Sequence, residues 1–129
     1  MFESQITLLY FRNIEKAFHF YEDVLGLKTK IDQGYGRIYE VSGNALLGVM
    51  DEKRGFLQSG HGTSMMISLV TEDVDPWYET LEKRGVKMLS KPLTKENIGI
   101  RSFLFEDPEG HILQIQKFLN QGKQLTLQI

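Results

Sequence analysis

Few side chains in this 129-residue chain are suited to chemistry, and their spacing fits no common catalytic scheme. There is no cysteine, which excludes disulfides, thiolate metal ligands and a cysteine nucleophile. The histidines are His19, His61 and His111, and none pairs at the His-x-x-x-His spacing that puts two imidazoles on one helix face. No Ser, His and acid set is recognisable from chain order. His19 lies beside an apolar helical stripe, His61 in a polar connection and His111 just after a turn glycine. Each has an ordinary reading as a flanking side chain. What remains are neutral hydrogen-bonding groups set in apolar strands: Tyr10, Ser68, Ser102, Gln114 and Gln116. That mixture is the composition of a small-molecule surface, and equally of a filled core. Arg37 is a candidate clamp for an anionic group. Tyr35, between two glycines, is a candidate lid aromatic.

The elements that must position these groups follow from periodicity. Gln5 to Arg12 is rich in β-branched and aromatic residues and is predicted as a strand. Asn13 is a helix N-cap, Ile14, Phe18, Tyr21 and Leu25 recur at helical spacing, and Gly26 ends the helix. Strands follow at Leu27 to Gln33, Arg37 to Val41 and Ala45 to Met50. After a charged, glycine-containing connection, Thr63 to Thr71 is a strand. Asp73 or Asp75 caps a second helix, Pro76 suits its first turn, and Gly85 ends it. Val86 to Leu93 is a strand, and Thr94 to Gly99 a loop. The closing hairpin is Ile100 to Glu106 and His111 to Gln116, joined by Asp107-Pro108-Glu109-Gly110, where proline pre-sets φ and glycine tolerates its positive values.

The order strand, helix, three strands occurs twice. Aligning the helix starts sets Ile14 on Val74 and Ile6 on Met66, and aligning the last turns through Gly43 and Gly110 sets Leu47 on Gln114. A period near 60 is too long for a solenoid unit. The fold class is therefore α+β: two βαβββ modules related by a pseudo-twofold, their sheets curving into a shared cup with the helices outside. We read one domain, with module one over 1–51, a linker over 52–62, module two over 63–118 and a tail over 119–129.

The chain resembles the vicinal oxygen chelate superfamily, which includes glyoxalase I, extradiol dioxygenases, fosfomycin-resistance proteins and bleomycin-binding proteins. The resemblance covers about residues 5 to 117. It is carried by Asn13-Ile14-Glu15-Lys16 leading to Phe20-Tyr21-Glu22-Asp23-Val24-Leu25-Gly26-Leu27, by Val74 through Leu81 to Arg84-Gly85-Val86, and by Phe105-Glu106-Asp107-Pro108-Glu109-Gly110. Metal-dependent members place His on the first strand of each module and Glu on the last. The matching positions here are Ile6, Met66, Leu47 (or Gly48, one residue on) and Gln114. Three apolar positions beside a neutral amide oppose desolvation of a divalent ion. No catalytic residue and no metal ligand is assigned, and no cofactor is expected.

The resemblance with strand alternation implies a cup lined by Ile6, Leu8, Tyr10, Arg37, Met66, Ser68, Ser102, Leu104, Gln114 and Gln116. The expectation is a metal-free protein that binds a small apolar or amphipathic molecule. The alternative is a lyase, isomerase or dioxygenase of the glyoxalase type, and only then is a divalent metal expected. A homodimer is implied by the resemblance alone. A net charge of −2 supplies no basic field for nucleic acid or an anionic membrane. No apolar run of about 18 residues and no signal core is present, so a cytoplasmic location is expected.

Overall fold

The computed structural model describes residues 3–54 and 65–119. The chain divides into two compact units, Met1–His61 and Gly62–Ile129, each built as a helix on one four- or five-stranded sheet. The first unit contains β1 (Gln5–Phe11), α1 (Ile14–Phe18), a π-helical continuation (His19–Val24), β2 (Lys28–Asp32), β3 (Gly36–Ser42) and β4 (Ala45–Asp51). The second contains β5 (Ile67–Val70), α2 (Val74–Lys83), β6 (Lys87–Met88), β7 (Leu93–Lys95), β8 (Ile100–Glu106) and β9 (Ile112–Phe118). Strand order is β1-β4-β3-β2 in one sheet and β5-β9-β8-β6 in the other, with β7 also paired to β8. In both, the first and last strands are parallel neighbours. The fold is α+β, with the βαβββ order in the first unit and the same order with one extra short strand, β7, in the second. Among the described residues no helix is long and apolar enough to cross a membrane.

Asn13 caps α1 as its residue type suggests: its Oδ1 accepts from the Lys16 amide at 3.2 Å. The predicted single α-helix is corrected after Phe18, where the turns widen to i→i+5, as in Leu25 N–H to Phe20 O at 2.9 Å. A wider turn rotates less per residue, so the adjacent rings of Phe20 and Tyr21 are both buried. Tyr21 meets Phe11 edge-on at 6.1 Å and stacks with Tyr39 at 6.2 Å, which fixes the helix to one face of the sheet. In the second unit, Val74 and Leu81 of α2 are buried, as are Phe103, Phe105, Leu113 and Ile115, and Tyr78 meets Phe103 edge-on at 5.3 Å. Asp73 occupies the N-cap position but makes no side-chain cap bond. Asp75 instead receives a two-pronged bond from Arg101, at 2.9 and 2.7 Å, which pins the start of α2 to β8. That guanidinium holds the Asp75 carboxyl below its ordinary pKa.

Two further expectations are corrected. The predicted strand Val86 to Leu93 is broken into β6 and β7, because Met88 pairs with Phe105 and Leu93 with Ser102. One side takes five steps where its partner takes three. Pro92 has no N–H for the ladder, and the Ser90 hydroxyl takes the Leu104 amide at 2.9 Å instead. Leu93–Lys95 is then a strand rather than the start of a loop. The predicted strand Thr63 to Thr71 is described only as Ile67–Val70. Its first two residues, most of the 52–62 linker with His61, and tail residues 120–129 lie outside the described residues.

In the Asp107–Gly110 turn, the aspartate is the anchor. Its side chain is fully buried and accepts the amides of Glu109 and His111 at 2.9 and 3.0 Å, while its second oxygen meets His111 Nδ1 at 2.8 Å.

Two strand glycines separate the tolerances of the sheet. A Cβ at Gly36 would stand 2.6 Å from the Val49 carbonyl oxygen and against Met50 Sδ, whereas one at Gly48 would meet only the side-chain ends of Leu8, Met50 and Ile38. Gly36→Ala is expected to cost about 1–3 kcal/mol, since backbone cannot yield. Gly48→Ala is expected to stay within about 1 kcal/mol of the parent. Urea denaturation of both variants measures the difference.

Candidate functional site

Strand alternation gives each sheet a helix-facing side and an open side. In the first unit the helix side holds Phe11, Arg37 and Tyr39, together with Leu47 and Val49, which pair with Tyr39 and Arg37 across the ladder. The open side therefore holds Ile6, Leu8 and Tyr10 of β1, Ile38 of β3, and Leu46, Gly48 and Met50 of β4. Tyr10, Ile38, Leu46 and Met50 form a buried cluster with Tyr35 packed against it. Tyr35, read as a lid aromatic, is thus a wall of this cluster. Ile6 and Leu8, at 41% and 43% exposure, leave the strand's other end apolar and open.

Arg37 is not on this side. Its Nη1 donates to Glu22 Oε2 at 2.6 Å, its Nε donates to Asp32 at 3.3 Å, and its guanidinium carbon lies 3.9 Å from the Phe18 ring centroid. The Tyr39 hydroxyl donates to the same Glu22 oxygen at 2.7 Å. Burial, and then that bond, push the Tyr39 phenol well above its ordinary pKa. The placement of Arg37 at the cup mouth is corrected: residue parity on β3 sends Arg37 and Tyr39 to the helix, where Glu22 neutralises the cation. The pairing was not visible in sequence, because Glu22 lies 15 residues away from Arg37 on an element whose turns widen.

In the second unit the helix side holds Leu69, Arg101, Phe103, Phe105, Leu113 and Ile115, and the open side holds Ser68, Val70, Ser102, Leu104, Gln114 and Gln116. Three polar side chains are linked there. Gln116 Nε2 donates to Ser68 Oγ at 2.5 Å, and Ser68 Oγ donates to Gln114 Oε1 at 2.8 Å. Gln114 is buried, at 9% exposure, whereas Val70 is half exposed, as is Met66 just before β5.

The ladder also settles the fourth-strand position. Leu8 pairs with Gly48, as Ser68 pairs with Gln114, so Gly48 and not Leu47 is the counterpart of Gln114. The turn-based alignment is off by one because β3 and β4 are joined by two residues, Gly43 and Asn44, whereas five separate Glu106 from Ile112. These positions do not fit a divalent metal. Ile6, Gly48 and Met66 carry no donor atom suited to a hard cation, and the one carbonyl oxygen, Gln114 Oε1, already accepts from Ser68. Over Gly48 lie the ends of Leu8 and Met50. Among the described residues no group of three or more His, Cys, Asp or Glu stands together. His19 is an exposed partner of Asp23 at 2.9 Å, and His111 is held by Asp107.

Two units, each with a helix packed on one side of a sheet whose first and last strands are parallel neighbours, define an α+β protein of the glyoxalase fold type. The chain belongs to the Glyoxalase/Bleomycin resistance protein/Dioxygenase superfamily, whose family model matches residues 5–115. It is 28% identical over 125 residues to the uncharacterized protein YraH of Bacillus subtilis (strain 168), covering 89% of this chain and 97% of that protein. It is 30% identical over 115 residues to the uncharacterized protein YwbC of the same strain, covering 80% and 87%. Among solved structures it is similar in fold to a glyoxalase/bleomycin resistance protein/dioxygenase from Nocardioides (TM-score 0.76, 19% identity, 95% and 87% of the two chains). It is likewise similar to a lactoylglutathione lyase from Agrobacterium tumefaciens (TM-score 0.71, 21% identity, 89% and 92%).

If Arg37 serves the helix rather than a ligand, Arg37→Gln lowers stability by about 1 kcal/mol, as a half-buried pair allows. Binding of an apolar probe, read by fluorescence titration, is expected to change less than twofold.

Proposed function

We propose that this superfamily member works without a metal and binds a small apolar or amphipathic molecule on the open sides of its sheets. One observation carries the reading. The positions that hold metal ligands in metal-dependent relatives, by resemblance, are here Ile6, Gly48, Met66 and a Gln114 whose oxygen is already engaged. Ile6, Leu8, Met66 and Val70 are large apolar side chains left 41–53% exposed. Leaving such surface in water forfeits about 25 cal/mol per Å² that a ligand would recover on covering it. The buried residues Phe11, Leu47, Val49, Phe103 and Leu113 lie on the helix sides and Tyr10, Ile38, Leu46 and Met50 cluster on the first unit's open side, whereas Ile6, Leu8, Met66 and Val70 belong to neither buried set.

Calorimetric titration with Zn²⁺, Ni²⁺, Mn²⁺ and Fe²⁺, alongside a thermal-shift panel of aromatic and aliphatic solutes, tests this. No stoichiometric metal binding and a rise in melting temperature with apolar solutes are expected. Tight stoichiometric metal binding that disappears in Gln114→Ala would replace this reading with a metal-dependent lyase, isomerase or dioxygenase.

A further inference from the structure

The linked amides of the second unit have a direction. Ser68 has one hydroxyl proton and gives it to Gln114 Oε1, while its own oxygen accepts from Gln116 Nε2. The Gln114 carbonyl is thereby tied to β5, and its Nε2, with two N–H donors, has no hydrogen-bond partner among the described residues. No buried side-chain nitrogen or oxygen among those residues is left unpaired, so Nε2 lies where solvent or a ligand reaches it. Its neighbours on that side are Leu104, Ile112 and the Ser68–Gln116 pair, with Val70 and Ser102 beyond. No Arg, Lys or His of β5, β8 or β9 stands on that side, since Arg101 and Lys117 fall on the helix side by parity and Arg101 is taken by Asp75. Glu106 of β8 falls on that side by parity, and its ladder partner Lys87 of β6 meets its carboxylate at 3.5 Å, while Lys95 of β7 stands at the far end beside Ile100; the donors therefore look onto an apolar surface bordered by charged residues.

We infer that Gln114 is a specificity-determining donor that takes a neutral hydrogen-bond acceptor, a ketone, amide, ester or ether oxygen, on an otherwise apolar ligand, with Ser68 as the positioning residue that sets the amide's orientation. This rests on the open side being a ligand surface. A ligand donor meets at Gln114 an oxygen that Ser68 already engages through one of its two lone pairs, so it gains less there than an acceptor gains at Nε2. A carboxylate would lose its hydration beside Leu104 and Val70, where Lys87 is already paired with Glu106 and Lys95 stands at the far end of β8. A neutral carbonyl loses less and gains the bond, and an unmet amide donor penalises ligands that lack an acceptor. Ser68 acts through Gln114. With the hydroxyl removed, the amide is free to turn over and present either its oxygen or its nitrogen.

The test compares four probes of one shape by titration calorimetry: 2-acetylnaphthalene, 2-ethylnaphthalene, 2-naphthylamine and 2-naphthoate. The acetyl compound is expected to bind roughly five- to tenfold more tightly than the ethyl compound. It is also expected to shift the Gln114 side-chain amide resonances, assigned by their absence in Gln114→Leu. That variant should bind the ethyl compound as well as the parent does and show a ratio near one. Ser68→Ala should lose the preference and gain affinity for the amine. Equal binding of the acetyl and ethyl compounds, preference for the amine or the carboxylate, or an unchanged ratio in Gln114→Leu would overturn this inference while leaving the apolar surface standing. Failure of all four to bind would overturn the apolar surface and this inference with it.

Discussion

Strand parity governs the chemistry of this protein. A residue one step along a strand faces the other side of the sheet, and the side is decided by which residues the helix claims. In the first unit the helix claims Phe11, Arg37 and Tyr39 through Tyr21, Phe18 and Glu22. In the second, α2 claims Phe103 through Tyr78 and Arg101 through Asp75. Everything else about the candidate site follows. Arg37 and Arg101 fasten helices to sheets, and the middle of each open side is left neutral.

That division bears on the proposal that this chain works without a metal. A divalent ion needs several hard donors converging where water can be replaced. At the corresponding places this chain sets Ile6, Gly48, Met66 and Gln114. Leu8 and Met50 fill the space above Gly48, and Ser68 occupies the oxygen of Gln114. The same substitutions create an apolar surface carrying one oriented amide.

Much of the fold was legible in the sequence because its signals are local. Asn13 before an apolar helical stripe, glycines at the ends of both helices, and alternation on both sides of Asp107–Gly110 each follow from backbone chemistry within a few residues. The doubled order of elements could be read for the same reason. The misses were nonlocal. The widening of the first helix serves Tyr21, which packs on strands before and after it. The break between β6 and β7 depends on register against β8. For the site, Ser68, Ser102, Gln114 and Gln116 were grouped by the family resemblance together with strand alternation, and the ladder sets them on one side of the second sheet. Their hydrogen-bonded order was not legible, since Ser68 and Gln114 are 46 residues apart. Arg37 was misplaced because charge on a strand reads as solvent-facing unless its partner is known, and Leu47 because turn glycines were aligned across hairpins of different length.

The central claim is that ligand binding belongs to the open sides and structure to the helix sides. Methyl-resolved NMR with selectively labelled Ile, Leu, Val and Met, titrated with 2-acetylnaphthalene, separates the two directly. Shifts concentrated at Ile6, Leu8, Met66, Val70 and Leu104, with Leu47, Val49, Leu113 and Ile115 unmoved, are expected. Shifts confined to the helix-side Leu47, Val49, Leu113 and Ile115 or to the exposed Ile98 between β7 and β8, or a complete absence of shifts, would contradict it.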